Sequence, residues 1–371
     1  MIGVLHAYSR TNAGDGLLVD LTLDRLARVG LDRDDVRLVA LDPDSFPEIP
    51  QRTGIGTKGR GLSWELVPAI RRGGALSLSA LVRRPVGEVA KALAGCDGLV
   101  AVGGGYLRAV DVTSSIGTAL NHLPQLLAAV RAKAPTVYLP QSIGPLRGPV
   151  GQAVRRALWS VDVVCARDRW SAAELGSVPG LRRVPDLAVL DLGERWDEIA
   201  PVVGTGKVGF VARRVDHAGG YEDAVRAVAD DLGDRAVWAV QTAGDPTKSD
   251  AVHYERLGLT AGGSLADLLA ARNLSLVVSV RLHGALMALR AGVPAIHLAY
   301  DRKGPAAFAD LGLSEWCFDV RTVDKATLAT AVTDLATDPR AYWNQLAAEV
   351  PRLRKASAWL DELVRCGLGL S

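Results

Sequence analysis

The chain has 371 residues, 49% hydrophobic and 23% charged, enough to bury a large core and to favour two domains over one. Its 43 lysines and arginines nearly balance 41 aspartates and glutamates, so no overall field favours nucleic acid as a partner and any anion site must be local. Four dispersed cysteines (Cys96, Cys165, Cys317, Cys366) form no C-x-x-C pair, which argues against a zinc site or a disulfide framework and for reduced thiols.

The opening stretch, MIGVLHAYSRTNAGDGLLVD, has neither a basic n-region nor a long apolar h-region, and no run of eighteen apolar residues follows anywhere. The expectation is a cytoplasmic protein, able at most to touch the inner face of a membrane peripherally.

Short apolar runs alternate with helical patterns along the whole chain, the signature of parallel sheets covered by helices. In the first half the expected strands are 2–6, 36–41, 98–102, 136–139 and 161–166, with a weaker one before Pro185. In the second half they are 208–212, 236–241, 274–280 and 295–298, and residues 324–368 read as helices only. The polar stretch DLGERWDEIAPVVGTGK (191–207) is the candidate linker, which divides the chain into an acceptor-side lobe, 1–195, and a donor-side lobe, 196–371. The expected fold is α/β, with two doubly wound Rossmann-like lobes facing a cleft. Within the first lobe, residues 51–91 are rich in lysine and arginine, and QRTGIGTKGRG among them lacks periodicity and reads as a flexible basic loop.

Ligands of doubly wound sheets bind beyond the carboxyl ends of the strands, and there the unusual residues gather. After the first strand comes SRTNAGD, where Asn12 and Asp15 flank Gly14; both residue types are common helix caps, and Asp15 could equally orient or deprotonate an acceptor hydroxyl. Gly103, Gly104 and Gly105 follow the third strand and leave room for backbone to approach a ligand or simply to turn. Gln141 and Ser142 in QSIGP follow the fourth and read as polar cleft residues.

In the second half, VGFVARRVDH places Arg213 and Arg214 at a strand exit, and alternation along an extended chain lets only one enter a site; Arg213 is the choice. RLHG then sets Arg281, His283 and Gly284 where a helix begins, a position that favours anions. Arg281 offers a planar bidentate donor and His283 a group able to transfer protons near neutral pH. The structural alternative is that Arg281 pairs with an internal carboxylate and His283 caps a carbonyl. Gly292 and Pro294 end that helix, and YDRKG brings Lys303 to the end of the next strand. The spacing resembles the donor-binding helix of two-lobed glycosyltransferases, except that LHGALMALRAG carries no acid to accept from a ribose.

NAGD (12–15), GGGY (103–106), QSIGP (141–145), ARDRWS (166–171), PD (185–186), RLHG (281–284), AGVP and YDRKG, in this order, resemble the polysaccharide pyruvyl transferase family over nearly the whole chain. The resemblance implies a glycosyltransferase-B-like fold and transfer of a pyruvyl group from phosphoenolpyruvate to a saccharide of a cell-envelope glycan precursor, lipid- or nucleotide-linked, as a ketal. It also associates His283, Arg213 and Arg281 with the donor. Phosphoenolpyruvate is then a donor substrate; no cofactor or metal is expected. Donor binding falls to Arg213, Arg281, Lys303 and Gly284, proton donation to His283 and the base to Asp15. Asn12, Gly103, Gly104, Gly105, Gln141 and Ser142 line the acceptor side or the cleft. The rival readings are a nucleotide-sugar glycosyltransferase and a non-catalytic glycan or lipid-phosphate binding protein. The sequence leaves the acceptor sugar and the oligomeric state open.

Overall fold

The computed structural model describes residues 1–55, 75–202, 206–216, 218, 220–243 and 249–370. Two parallel sheets organise them. The first is an 8-stranded sheet in the order β3-β2-β1-β4-β6-β7-β8, with β5 added beside β6. Its strands are β1 (Ile2–Ala7), β2 (Val36–Ala40), β3 (Gln51–Gly54), β4 (Gly98–Ala101), β5 (Gly104–Ala109), β6 (Thr136–Leu146), β7 (Val163–Ala166) and β8 (Leu181–Arg183). The second is a 6-stranded sheet in the order β11-β10-β9-β12-β13-β14. It holds β9 (Lys207–Val211), β10 (Ala236–Val240), β11 (Ala261–Ser264), β12 (Leu274–Ser279), β13 (Ala295–Ala299) and β14 (Cys317–Asp319).

Every residue of β1 and of β12 is buried, because each lies inside its sheet with helices on both faces, and this is why the runs IGVLHA and LSLVVS do not alternate. The chain reverses direction across the sheet between β1 and β4 in the first unit and between β9 and β12 in the second. Those are the positions where a doubly wound sheet opens to a ligand.

The structure adds strands that the sequence reading left out. Gln51–Gly54 pairs in register with β2 where the sequence shows no strand pattern, since an edge strand exposed on alternate residues carries little apolar signal. The remainder of the basic region through residue 74 lies outside the described residues, and Ala75–Ala92 is helical. GGGY leads directly into β5, and QSIGP is strand, because β6 runs on past the end of β4 and pairs there with β5.

The chain divides into one compact unit of Met1–Arg10, Asp15–Leu187 and Ala358–Ser371, and another of Thr11–Gly14 and Ala188–Ser357. The division therefore falls at 187/188 rather than 195/196, and the first unit reclaims the end of the chain. The helix Arg340–Leu368 serves both: Tyr342, in the second unit, donates from its hydroxyl to the Ala295 carbonyl at 2.9 Å, whereas the last turns pack on the first sheet. There Gly367 lies so close to Val137 and Val163 that a Cβ would come within 2.6 and 2.9 Å of their methyl groups. The buried Arg25 guanidinium also pairs with Asp361 at 2.5 Å. Asp361→Ala strips that carboxylate from a buried cation and should destabilise the protein by about 1–3 kcal/mol, read as a lowered urea midpoint at unchanged slope.

Candidate functional site

In the second unit the exits of β9, β10, β12 and β13 lie beside one another and carry a group of charged and polar side chains. Asp250, fully buried at the start of the helix Asp250–Arg256, accepts from the backbone amides of Gln241 and Thr242 at 2.9 Å each. It also holds Arg281: Nε donates to its carboxylate at 2.9 and 3.2 Å and Nη2 at 2.6 Å. Arg281 is thus clamped through its Nε and Nη2 edge to an internal carboxylate, the alternative that the sequence left open. The Ser279 hydroxyl donates to the Arg281 carbonyl at 2.7 Å and accepts from its amide at 3.1 Å, fixing the start of the helix Leu282–Arg290. Gly284 is needed for packing, because a Cβ there would run into the Gln241 side chain and come within 2.7 Å of Ser279 Oγ.

Arg213 and Lys303 converge on one phenol. The Arg213 guanidinium lies 5.2 Å from the Tyr300 ring centroid and donates to its hydroxyl at 3.3 Å; Lys303 Nζ is 5.5 Å from the same centroid. Lys303 also pairs with Asp301 at 3.2 Å. Lys303 pulls the Tyr300 phenol below its ordinary pKa against the opposing effect of burial, with Arg213 and Arg281 adding to the pull. Arg214, by contrast, is exposed and pairs with Asp216 at 3.2 Å. Beneath this group, His297 is buried, its Nδ1 2.8 Å from the Ser279 carbonyl, and burial pushes it down to about 4, so it stays neutral.

The segment Thr11–Gly14 packs on this unit although β1 precedes it. Asn12 bridges to Thr242, the Ala13 amide donates to the Gln241 carbonyl at 3.3 Å, and the Ala243 amide donates to the Thr11 carbonyl at 2.8 Å. Asn12 Oδ1 accepts from the Gly14 amide at 3.1 Å, and a Cβ on Gly14 would lie 2.6 Å from the Cβ of His283. Asn12 and His283 are therefore brought onto one unit, with Asp15 following in the first turn of the helix Ala13–Arg28.

In the first unit Ser142, half-buried, joins an internal network. Its hydroxyl donates to Asp168 at 2.6 Å and accepts from Arg167 Nε at 2.9 Å, and Arg167 forms a buried ion pair with Asp186. Asp168 caps the helix Arg169–Glu174 through the Ser171 amide at 2.7 Å. The motifs QSIGP, ARDRWS and PD are thus one structural knot. Gln141 is fully buried. Gly103 lets the Pro140 carbonyl approach, within 2.6 Å of where a Cβ would stand, and Gly104 leaves room for the Tyr106 ring. Gly105 faces Arg167 Nη2, 3.4 Å from its Cβ position. Among the described residues no cluster of three or more His, Cys, Asp or Glu could hold a metal ion, and no helix is long and apolar enough to cross a membrane.

The family profile described as polysaccharide pyruvyl transferase matches residues 12–302, which span both units and all of these motifs except the last two residues of YDRKG, Lys303 and Gly304. The chain belongs to the polysaccharide pyruvyl transferase family. No protein of curated function matches it by sequence. Among solved structures it is similar to the UDP-GlcNAc 2-epimerase of Neisseria meningitidis bound to UDP-GlcNAc, at 12% identity and TM-score 0.56, covering 98% of this chain and 99% of that one. The S. aureus protein MnaA in a co-structure with UDP gives 15% identity and TM-score 0.56, covering 100% and 97%. A calicheamicin glycosyltransferase gives 15% identity and TM-score 0.50, covering 99% and 98%. At these identities the likeness is one of fold, glycosyltransferase-B-like.

Two residues of this pyruvyl transferase family member escaped the sequence reading. Asp250 sits behind a serine N-cap, Ser249, in a stretch with several other acids, and nothing in its spacing marks it as the partner of Arg281. Tyr300 stands beside Lys303 in YDRKG, but its role depends on Arg213, which is remote in sequence.

Gly14→Ala should lower stability by about 1–2 kcal/mol, the clash with His283 Cβ outweighing the gain in helix propensity. Gly16→Ala, whose Cβ would come no nearer than 3.3 Å to its closest neighbours, all atoms of Arg10, should be close to neutral or stabilising, so urea unfolding of the pair separates packing from propensity. His6, His122 and His297 are all held by burial below their ordinary value, to about 3 for His122 and about 4 for His297. The unfolded chain then binds protons that the folded one refuses, so stability is complete above about pH 6.5 and falls below it. The slope approaches about 1.4 kcal/mol per pH unit for each such histidine. Urea midpoints at pH 7.5, 6.5 and 5.5 check it, and replacement of His297 by Gln should reduce the slope.

Proposed function

We propose that the protein transfers a pyruvyl group from phosphoenolpyruvate to two hydroxyls of a saccharide, forming a cyclic ketal and releasing phosphate. The observation that carries this reading is the pairing of Arg213 and Lys303 on one phenol, beside the start of a helix that contains no carboxylate. A small donor bearing both a carboxylate and a phosphate needs such converging cations, whereas a nucleotide ribose is commonly held by an acid. The UDP and UDP-GlcNAc in the relatives' structures belong to those proteins and say nothing of this chain's ligand.

In the proposed reaction the His283 imidazolium protonates the methylene carbon of the donor as a sugar hydroxyl adds to the enol carbon, and Asp15 takes that hydroxyl's proton. The second hydroxyl then attacks the same carbon, the bond to phosphate breaks, and the phosphate leaves with the second hydroxyl's proton. The new methyl group then holds the proton given by His283, the phosphate holds the second hydroxyl's, and Asp15 holds the first hydroxyl's; exchange with solvent, Asp15 releasing its proton and His283 taking one up, returns the enzyme to its starting state. Arg281, immobilised by Asp250, supplies fixed positive charge at the helix start, while Arg213 and Lys303 bind the donor anion.

Thermal shifts with phosphoenolpyruvate, inorganic phosphate and a set of nucleotides at matched ionic strength test the reading. Phosphoenolpyruvate at a hundredfold excess over its dissociation constant should add about 2.7 kcal/mol of stability, and the nucleotides none. Arg213→Ala should weaken donor binding by roughly tenfold or more. His283→Ala should retain donor binding and lose acceptor-dependent phosphate release. Stabilisation by a nucleotide alone would replace this reading with a nucleotide-sugar transferase.

A further inference from the structure

At the carboxyl end of β1 in the first unit lies a cluster of rings that the donor chemistry does not use. The Tyr106 ring is stacked on two imidazoles, His122 with centroids 4.6 Å apart and interplanar angle 22°, and His6 at 4.8 Å and 28°. Tyr8 is stacked on His122 at 6.3 Å and 24°. The imidazoles are themselves joined, Nδ1 to Nδ1 at 3.4 Å, and His6 Nε2 is 2.9 Å from the Tyr138 hydroxyl. Both histidines are buried and both stay neutral, whereas Tyr8 and Tyr106 are each partly exposed.

The backbone is bent to build this cluster. His6, a non-glycine residue, is held at φ 65°, and its amide is tied to Gln125 Oε1 at 2.7 Å. His122 ends a π-helical turn, Thr118–His122, a distortion common at functional sites. Gly104 is the residue that admits the Tyr106 ring, since a Cβ would stand 2.6 Å from Cε1, and the Tyr106 hydroxyl is fixed on the Val102 carbonyl. A core that needed only volume would use leucines. Instead the sheet carries stacked, uncharged, hydrogen-bonding rings at the point where a doubly wound sheet receives its ligand, and the Asp15 charge is felt at the Tyr106 phenol.

We infer that Tyr106 and Tyr8, backed by His6 and His122, form the acceptor subsite, and that its ligand is the apolar face of a pyranose ring. The C–H bonds of such a face meet the electron-rich face of an aromatic ring, and neutral rings neither repel nor trap an uncharged sugar. This assignment rests on the pyruvyl transfer reading for the class of acceptor, and it puts the sugar beside the carboxylate proposed as its base.

Saturation-transfer NMR with methyl β-galactopyranoside, methyl β-glucopyranoside and methyl α-mannopyranoside tests it, with UDP as a competitor that carries no pyranose. At least one glycoside should receive saturation on its ring protons, and UDP should not displace it. Tyr106→Leu and Tyr8→Leu should weaken that binding at least tenfold while circular dichroism and the phosphoenolpyruvate thermal shift stay as in the wild type. Tyr106→Phe, which keeps the ring, should retain binding. Should Tyr106→Leu fail to fold, Tyr8→Leu decides alone. Absence of saturation transfer from all three glycosides, displacement by UDP, or full binding in folded leucine variants would overturn the subsite and leave the donor reading standing. Glycoside binding that depends on Tyr106 without any phosphoenolpyruvate shift would do the reverse.

Discussion

The second unit is organised around one buried ion pair, Asp250 with Arg281. An isolated charge in that place would cost several kilocalories per mole, so each member requires the other, and removing one partner from such a pair typically costs about 3–5 kcal/mol. The pair does more than neutralise itself. Asp250 spends its remaining acceptor capacity on the Gln241 and Thr242 amides, which fixes the exit of β10 against the exit of β12. Two further parts of the site lean on that junction: Gly284 fits against Gln241, and Thr11–Gly14 pairs with 241–243. The position of His283 follows from both.

The two sheets treat polar side chains in different ways. At the end of the second, cations and a phenol are brought together with Asp301 as a close counter-charge, an arrangement suited to holding an anion. At the end of the first, histidines are driven neutral by burial and stacked on tyrosine, an arrangement suited to an uncharged ligand. The two environments stand on different sheets.

Much of this was legible in the residues. Apolar runs such as LSLVVS announced central parallel strands, and the helix starting at RLHG announced itself through Gly292 and Pro294. Alternation along the chain admitted only one of Arg213 and Arg214 to a site. What escaped was whatever depends on pairing between distant segments. β3 and β11 are edge strands with exposed positions, and β5 exists because β6 outruns β4; none of the three has an apolar pattern of its own. Ser142 read as a cleft residue because a polar side chain after a strand looks the same whether it meets a ligand or Asp168. The identity of Arg281's partner is likewise invisible until β10 and β12 are folded, and the resemblance to a family names the arginine without naming what holds it.

The route of the chain has a consequence for assembly. It passes between the units at 10/11, 14/15, 187/188 and 357/358, so no single cut yields two self-sufficient pieces. A fragment beginning at Ala188 would carry the 241–243 edge without the N-terminal residues that pair with it, and His283 without the backbone packed beside it. During synthesis, residues 11–14 emerge long before their partners. The entropy of closing so long a loop grows only slowly with its length, so the delay adds little thermodynamic cost. The order of events is constrained nonetheless: residues 188–357 are made after the segment 11–14 that pairs with them, and the helix Arg340–Leu368 closes the first unit only after both sheets have been made.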